Sequence, residues 1–167
     1  MPRLAGSAVV RQLSNVLQEA VEGSSGPWTY FIDNRPGAGL FGALAGLTAA
    51  EASRARGGTS IAAHAHHVAF AMEASAASIE GDRTPRDWKK SWRVTTVDAA
   101  AWKELLARLH REYQRLRQAV QSKAWSSEEA FGEAVGVIAH IAYHLGAIRQ
   151  KALSRQGAKV KARGGTP

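Results

Sequence analysis

The sequence predicts an all-α protein, built as a four-helix bundle with one long crossover connection. Hydrophobic residues make up 45% of the 167 residues, and alanine, the strongest helix former, is unusually common. Apolar residues recur at helical spacing in four long segments, and no segment shows the strict alternation of a half-buried strand. Four helices that each carry one apolar face bury those faces by packing together, which predicts a bundle.

The first helix is predicted from about Gly6 to Glu22. Glycine, serine and proline in residues 23–27 end it, because these residue types favour turns over helix. Its apolar positions follow the i, i+3, i+4, i+7 rule and form one buried stripe, made of Val9, Leu13, Val16, Leu17 and Ala20.

Residues 28–58 are the least regular part of the chain. The run Asn-Arg-Pro-Gly at 34–37 predicts a turn. Residues 39–47, rich in glycine and alanine, predict a short helix that packs closely. Thr48 followed by Glu51 matches a capping box, which predicts a second helix start there.

A second long helix is predicted from Thr59 or Ser60 to Ile79. Either hydroxyl can cap its first turn, and Gly81 ends it. Residues 81–97 then form the long connection of the bundle. A connection of this length is often functional or folded over the helices.

The third helix is predicted over Asp98–Gln121, with Asp98 as its N-cap. The fourth is predicted from Ser126 or Ser127 to Leu153, and Ser126 with Glu129 fits a capping box. The predicted buried face of this last helix consists of Phe131, Val135, Ile138, Ile141, Leu145 and Ile148.

Composition excludes several classes of site. There are no cysteines, so disulfides, thiolate zinc sites and a cysteine nucleophile are ruled out. No stretch reaches the roughly 18 uninterrupted apolar residues typical of a membrane span, and the N-terminal segment lacks the pattern of a secretory signal. We therefore expect a cytoplasmic protein without a membrane partner.

The formal charge of +8 is concentrated at the C-terminal end. Without six basic residues beyond Ile148, the remainder carries about +2. This distribution predicts a bundle domain over residues 1–153 and a basic, flexible tail over 154–167, and it disfavours nucleic acid as a partner. The six residues are Arg149, Lys151, Arg155, Lys159, Lys161 and Arg163.

Five of the six histidines fall in two helical clusters. His64, His66 and His67 lie on the predicted second helix, and His140 and His144 on the fourth. Histidines at i and i+4 project from one face of a helix and can bind the same metal ion. A third histidine from a facing helix would complete three protein ligands and leave one coordination position open, as in catalytic sites.

The alternative is that these histidines are surface residues, since a His-x-x-x-His pair also occurs by chance. Two features favour metal binding. His140 and His144 adjoin the apolar stripe of the fourth helix, and the other cluster lies in a similarly apolar helix. A buried neutral imidazole needs a hydrogen-bonding or metal partner, so burial and metal binding fit together.

Two blocks resemble the DinB/YfiT-like family of metal-binding four-helix bundles. Residues 60–68, Ser-Ile-Ala-Ala-His-Ala-His-His-Val, resemble the start of the family's second helix, where a serine precedes a ligand histidine by seven positions. Residues 140–148, His-Ile-Ala-Tyr-His-Leu-Gly-Ala-Ile, resemble its fourth-helix motif. Order and spacing fit over roughly residues 7–153. One departure is Leu-Gly-Ala at 145–147, where family members often have Arg-Gly-Gln.

The resemblance implies a bundle of the DinB/YfiT type with His67, His140 and His144 as ligands of one divalent metal ion. Imidazole suits zinc and nickel, which we expect first, and also iron and manganese. Family members with known activity are thiol-dependent transferases or isomerases that use bacillithiol or mycothiol. The resemblance therefore implies a small thiol as cosubstrate, and a homodimer.

The other histidines are assigned by their position. His64 lies one turn before His67, so it is a group near the ligands, a substrate contact, or the ligand itself. His66 is rotated by about 100° and is expected off the site. His110, in the third helix, is expected to be a surface or satisfied residue.

Three functions follow as hypotheses. The first is a metal-dependent thiol transferase or hydrolase, since a metal held by neutral imidazoles can lower the pKa of a bound thiol or water. The second is a metal-binding protein without catalysis, associated with stress or sensing. The third is an interaction protein whose basic tail binds an acidic partner.

Several residues near the predicted site have two interpretations. Glu133 lies seven residues before His140, and it is a solvated helix-start residue or, alternatively, a group beside the ligands. Trp88 and Trp92 clamp the connection to the bundle, the interpretation we favour, or wall a pocket above the metal. Trp28 and Tyr30 line the mouth of the site or fill the core.

Overall fold

The computed structural model describes residues 5–55 and 58–163, with side chains as far as Leu153. Its elements are α-helical except for one 3₁₀ helix within the long connection, so the all-α prediction is confirmed. In chain order they are α1 (Gly6–Val21), α2 (Leu40–Leu44), α3 (Ala49–Ala52), α4 (Ile61–Ile79), the 3₁₀ helix (Trp88–Trp92), α5 (Ala99–Lys123) and α6 (Glu128–Arg163).

Helix α4 packs between α5 and α6, and α1 also contacts both of these helices. Most of α4 is buried around its circumference, because its many alanines let neighbouring helices approach closely. One apolar core joins the four long helices. Its largest fully buried side chains include Leu17, Met72, Leu109, Tyr113, Leu116, Ile141 and Ile148.

Side-chain caps fix where α4, α5 and α6 begin. The Ser60 hydroxyl accepts the Ala63 amide at 3.0 Å, and the Asp98 carboxylate accepts the Ala101 amide at 2.8 Å, as the sequence predicts. At α6 the cap is Ser127, whose hydroxyl accepts the Ala130 amide at 3.1 Å. The capping box predicted for Ser126 is therefore wrong by one residue, because both serines suit the sequence pattern and only one lies at the turn.

The segment before α4 follows the prediction in outline. Helix α2 is shorter than expected, and α3 begins with the predicted Thr48 and Glu51 capping box. A Cβ atom on Gly39 would lie 2.5 Å from the Gly23 amide nitrogen, so glycine there permits the close approach to the end of α1.

Trp28 and Tyr30 neither fill the core nor contact the histidines. They pack edge to face on each other and are 67% and 48% exposed. Their loop is held instead by Glu19, a buried carboxylate that accepts the backbone amides of Tyr30, Phe31 and Ile32. The core-filling role predicted for both aromatic residues is therefore wrong, while their place at the mouth of the site stays a prediction.

Helix α6 extends to Arg163, ten residues past the predicted end at Leu153. Its predicted buried face is correct at four positions, whereas Val135 is 44% exposed and Phe131 is only partly buried. Both face an apolar groove beside α1. By length and composition the Glu128–Leu153 part could cross a membrane, with a mean hydropathy of 1.3, but core helices of soluble proteins pass the same test.

The connection between α4 and α5 folds back over α4. Its 3₁₀ helix packs on the first half of α4, and the segment between the 3₁₀ helix and α5 is held by two side chains. The Ser60 hydroxyl donates to the Thr95 carbonyl at 2.5 Å, and the Ser53 hydroxyl accepts the Val97 amide at 2.9 Å. These contacts place the tryptophan-containing turn over the histidines of α4.

Candidate metal centre

Helices α4 and α6 bring four histidines together. The Nε2 atoms of His67 and His140 are 2.9 Å apart, as are the Nδ1 atoms of His64 and His144. One ring nitrogen from each of His67, His140 and His144 lies within 4.8 Å of the other two. Three imidazoles at this separation could hold one metal ion.

The cluster is sheltered from solvent on most sides. His64, His67 and His144 are 7%, 6% and 3% exposed, whereas His140 is only partly buried. The open side of the cluster is therefore the side of His140. A small molecule could reach a metal ion there without displacing any helix.

Burial keeps these imidazoles neutral. Burial, with added repulsion from neighbouring histidines, lowers the pKa of His67 to about 4 and that of His144 to about 3. Burial also lowers the pKa of His140 and of His64. Since only a neutral imidazole can bind a metal ion, all four rings are in the competent state at neutral pH.

Ser91, in the 3₁₀ helix, fixes the tautomer of His67. Its hydroxyl donates to the Trp88 carbonyl at 2.6 Å, so toward Nδ1 of His67, at 2.7 Å, it can only accept. His67 therefore carries its proton on Nδ1 and presents a lone pair on Nε2, the atom that faces His140. Ser91 is fully buried. Sequence reasoning missed it, and no spacing rule marks it.

Trp92 covers one side of the histidine cluster. Its ring stacks on His67 with 4.1 Å between ring centroids and 19° between planes, and it meets His64 edge to face at 5.5 Å. The favoured interpretation of the two tryptophans as loop clamps is therefore incomplete, because Trp92 also covers one face of the site. Trp88 packs on Phe70 of α4, and it is 48% exposed.

His64 supports His144. Its Nδ1 atom contacts Nδ1 of His144, and its Nε2 atom lies 3.0 Å from the Thr59 hydroxyl. If His144 donates from Nδ1 to His64, and His64 donates from Nε2 to Thr59, then Nε2 of His144 keeps its lone pair. In this arrangement His64 orients a ligand, which is one of the three roles that the sequence left open.

The remaining predicted residues separate into two groups. His66 lies off the cluster, where its Nδ1 atom donates to the Ser91 carbonyl at 2.7 Å, and His110 stacks on Phe41 at an exposed position. Glu133 does not reach the cluster. It accepts the Ser75 hydroxyl at 2.6 Å and lines a cavity that ends at His140.

The donor set fits a metal ion better than it fits a histidine cluster alone. His64 and His67 have hydrogen-bond partners on both ring nitrogens, but the buried His144 keeps an Nε2 lone pair with no hydrogen-bond donor among the described residues, which is costly unless a metal ion binds it. A divalent ion would replace the proton between His67 and His140 and bind both nitrogens. Three neutral nitrogens suit zinc, nickel or iron, and leave room for an exchangeable ligand.

Comparison with known protein families gives one result. The model of the DinB superfamily matches residues 37–148. The chain belongs to the DinB superfamily. The matched part of this DinB protein includes α4, the crossover and both histidines of α6, whereas α1 lies outside it. No curated protein and no solved structure matches the chain.

Proposed function

We propose that this DinB protein binds one divalent metal ion through His67, His140 and His144 and acts as a metal-dependent thiol transferase or hydrolase. The thiol would be a small cosubstrate of the bacillithiol or mycothiol type. Zinc or nickel is the proposed metal, with iron or manganese as the next candidates. The observation that carries the proposal is the convergence of three neutral imidazoles beside one open side.

The residues of the site have separate tasks in this proposal. Ser91 and His64 orient the imidazoles of His67 and His144, which is the usual role of hydrogen bonds to ligand histidines. Trp92 excludes water from the stacked face of His67. When bound, the metal supplies a Lewis acid that lowers the pKa of a coordinated thiol or water. The absence of cysteine means that any thiol has to come from a separate molecule.

A second candidate is a metal-binding protein without catalysis, associated with stress or with a partner protein. The basic residues in the last part of the chain favour an acidic partner for such a protein. Deleting residues 154–167 tests this candidate. If the second candidate is right, the deletion should weaken binding of the partner and leave the metal content unchanged. Unchanged binding of the partner would exclude a role for the tail.

Metal content and thiol transfer together test the proposed function. The purified protein is first assayed by elemental analysis, and then for metal-dependent conjugation of bacillithiol or mycothiol to an electrophile such as monochlorobimane. We expect about one metal ion per chain, activity that is lost with a chelator, and activity restored by Zn²⁺ or Ni²⁺. The His110→Ala variant is the control for loss of an unrelated histidine.

Two results would exclude parts of this proposal separately. Full metal content without conjugation of any thiol would favour the non-catalytic candidate. Conjugation that persists after complete metal removal would instead show that the histidine cluster is not the reaction centre.

We also propose that the protein is a cytoplasmic homodimer without a membrane or nucleic-acid partner. Helix α6 then serves as a core helix, because the face that carries His144, Leu145 and Ile148 points into the bundle. An apolar groove of about 230 Å³ between α1 and α6 supplies a face for the second copy. Sedimentation equilibrium of a Val135→Asp variant, which places a charge in that groove, would show a monomer if this face pairs.

A further inference from the structure

A groove between α4 and α6 leads away from His140. Its inner part has a volume of about 140 Å³ and ends at His140, and its outer part has about 220 Å³. Trp88 and Glu133 line both parts, so the two parts adjoin. We refer to the two parts together as the α4–α6 groove. Its inner part is bounded by Ser75, Trp88, Glu133, Gly136 and His140.

Small side chains keep this groove open. Ala71 and Ser75 line it from α4, and Gly136 lines it from α6. A Cβ atom on Gly136 would meet nothing within 4 Å, which shows free space beside the helix. Glu133 and His140 are seven residues apart on α6, so their backbones are separated by about 10.5 Å along the helix axis. An extended ligand could therefore reach from the histidine cluster to Glu133.

Glu133 is the charged group that faces the inner part of the groove. Its carboxylate accepts one hydrogen bond, from the neutral Ser75 hydroxyl, and the ion pairs of the described residues do not include it. Arg83 and Arg86 line only the outer part. There Arg86 pairs with Asp82, and hydrogen bonds together with the charge of Arg83 lower the pKa of Glu129. The carboxylate thus has spare acceptor capacity for a cation.

The half-exposed ring of Trp88 forms the opposite wall. A carboxylate and an indole together recognise an alkylammonium group, because the carboxylate pairs with its charge while the ring packs on its methylenes and attracts the cation. A thiolate or carboxylate at this position would be repelled by Glu133. The groove therefore discriminates by charge at its Glu133 end.

We propose that the α4–α6 groove binds an extended molecule with a primary ammonium group at Glu133 and its reactive thiol at the histidine cluster. This specificity rests on the proposed function, since the thiol end requires the metal. It narrows the thiol cosubstrate from the bacillithiol or mycothiol type to a thiol that carries a primary ammonium group remote from its sulfur. Glu133 is then a specificity-determining residue that contacts the substrate about two helical turns from the site of reaction.

Binding of paired thiols to the Co²⁺-loaded protein tests the proposal. The probes are 6-aminohexane-1-thiol and its neutral analogue 6-mercaptohexan-1-ol, followed through the thiolate-to-cobalt absorption. We expect the amine to bind about tenfold more tightly, as a charge-assisted hydrogen bond allows. The short pair 2-aminoethanethiol and 2-mercaptoethanol should show no such preference, because neither spans the groove.

Three variants locate the effect. Glu133→Gln keeps an oxygen that can accept from Ser75 but removes the charge, so the preference for the amine should disappear while metal content is unchanged. Glu129→Gln removes an exposed charge one turn earlier on α6 and should keep the preference. Gly136→Leu should fill the groove and weaken both long thiols, without a helix-propensity cost.

Equal binding of the two long thiols by the native protein would overturn the proposal, as would a preference that persists in Glu133→Gln. If no thiol coordinates Co²⁺, the proposed thiol chemistry fails, and the groove is then tested alone with n-hexylamine. A shift of the Trp88 indole NMR signal by this amine in the native protein, but not in Glu133→Gln, would support the groove independently. Absence of that shift would overturn it.

Discussion

The helices and the crossover connection contribute to the histidine cluster in different ways. Helices α4 and α6 supply all four imidazoles, and their backbones are held by the apolar core. The connection supplies Ser91 and Trp92, which bind no metal but fix the tautomer and cover one face of His67. The difference shows that helix geometry places the candidate ligands and buries them, while a loop sets the tautomer of one of them, His67.

This division predicts a ranking of effects. Loss of a ligand removes a bond to the metal, which costs several kcal/mol. Loss of a supporting hydrogen bond changes only the orientation or tautomer of a ligand, which typically costs a factor of about 10 to 100 in metal affinity. Changes in α4 and α6 should therefore exceed changes in the connection.

The largest effect is expected from the double variant His140→Ala/His144→Ala. Removing two of three ligands should weaken metal binding by at least about a thousandfold, since each ligand contributes a large share of the binding free energy. Elemental analysis and competition with a chromophoric chelator measure this loss. His110→Ala, at an exposed position in α5, should bind metal normally. Full occupancy in the double variant would exclude the site.

Acidification should destabilise the metal-free protein through the same helices. The folded pKa values of about 4 for His67 and about 3 for His144 lie below the value of about 6.5 in the unfolded chain. The unfolded state therefore binds more protons below pH 6.5. Stability is complete above that pH and is lost as the pH falls through the folded values.

Urea unfolding of the metal-free protein between pH 7.5 and 5 measures this dependence. In that range carboxylates titrate little, so the histidines dominate the slope. The slope should be shallower in His140→Ala/His144→Ala, which lacks two of the four imidazoles whose pKa is lowered. An equal slope in both proteins would show that other groups control the acid sensitivity.

Ser91→Ala tests the contribution of the connection. The variant leaves Nδ1 of the buried His67 without its acceptor and frees the ring to adopt the other tautomer. We expect metal affinity to fall by about 10- to 100-fold, with the stacking of Trp92 retained. Nitrogen NMR of the imidazoles reports the tautomer directly. The exposed neighbour Lys90→Ala is the matched control, and an unchanged tautomer in Ser91→Ala would contradict the assigned role.

Helical period alone was sufficient to place His140 and His144 on one face of α6, and the family resemblance supplied His67 as the third candidate ligand. Helical period could not choose between His64 and His67, since both lie on the inward face of α4 one turn apart. The register of α4 against α6 sets His67 opposite His140 and His64 opposite His144, which makes His67 the candidate third ligand. That register is a property of the packed core, not of either helix.

The role of Ser91 was beyond sequence reasoning for a different reason. Ser91 lies in a connection without period, and its role depends on how the 3₁₀ helix folds onto α4. The exposure of Val135 has a similar origin, because the apolar stripe of α6 is wider than the surface that α1 covers. The overall fold was predictable since it depends on periodic patterns, which these two features do not share.

Thr59→Val should give the smallest effect and sharpens the comparison further. Thr59 precedes α4, and its hydroxyl contacts His64, which in turn contacts His144. It therefore acts on a ligand through one intervening ring, whereas Ser91 contacts a ligand directly. We expect metal affinity to fall by only about threefold, as one neutral hydrogen bond allows. The exposed Thr96→Val is the control. A loss as large as that of Ser91→Ala would mean that the orientation of His144 depends on Thr59 as strongly as that of His67 depends on the connection.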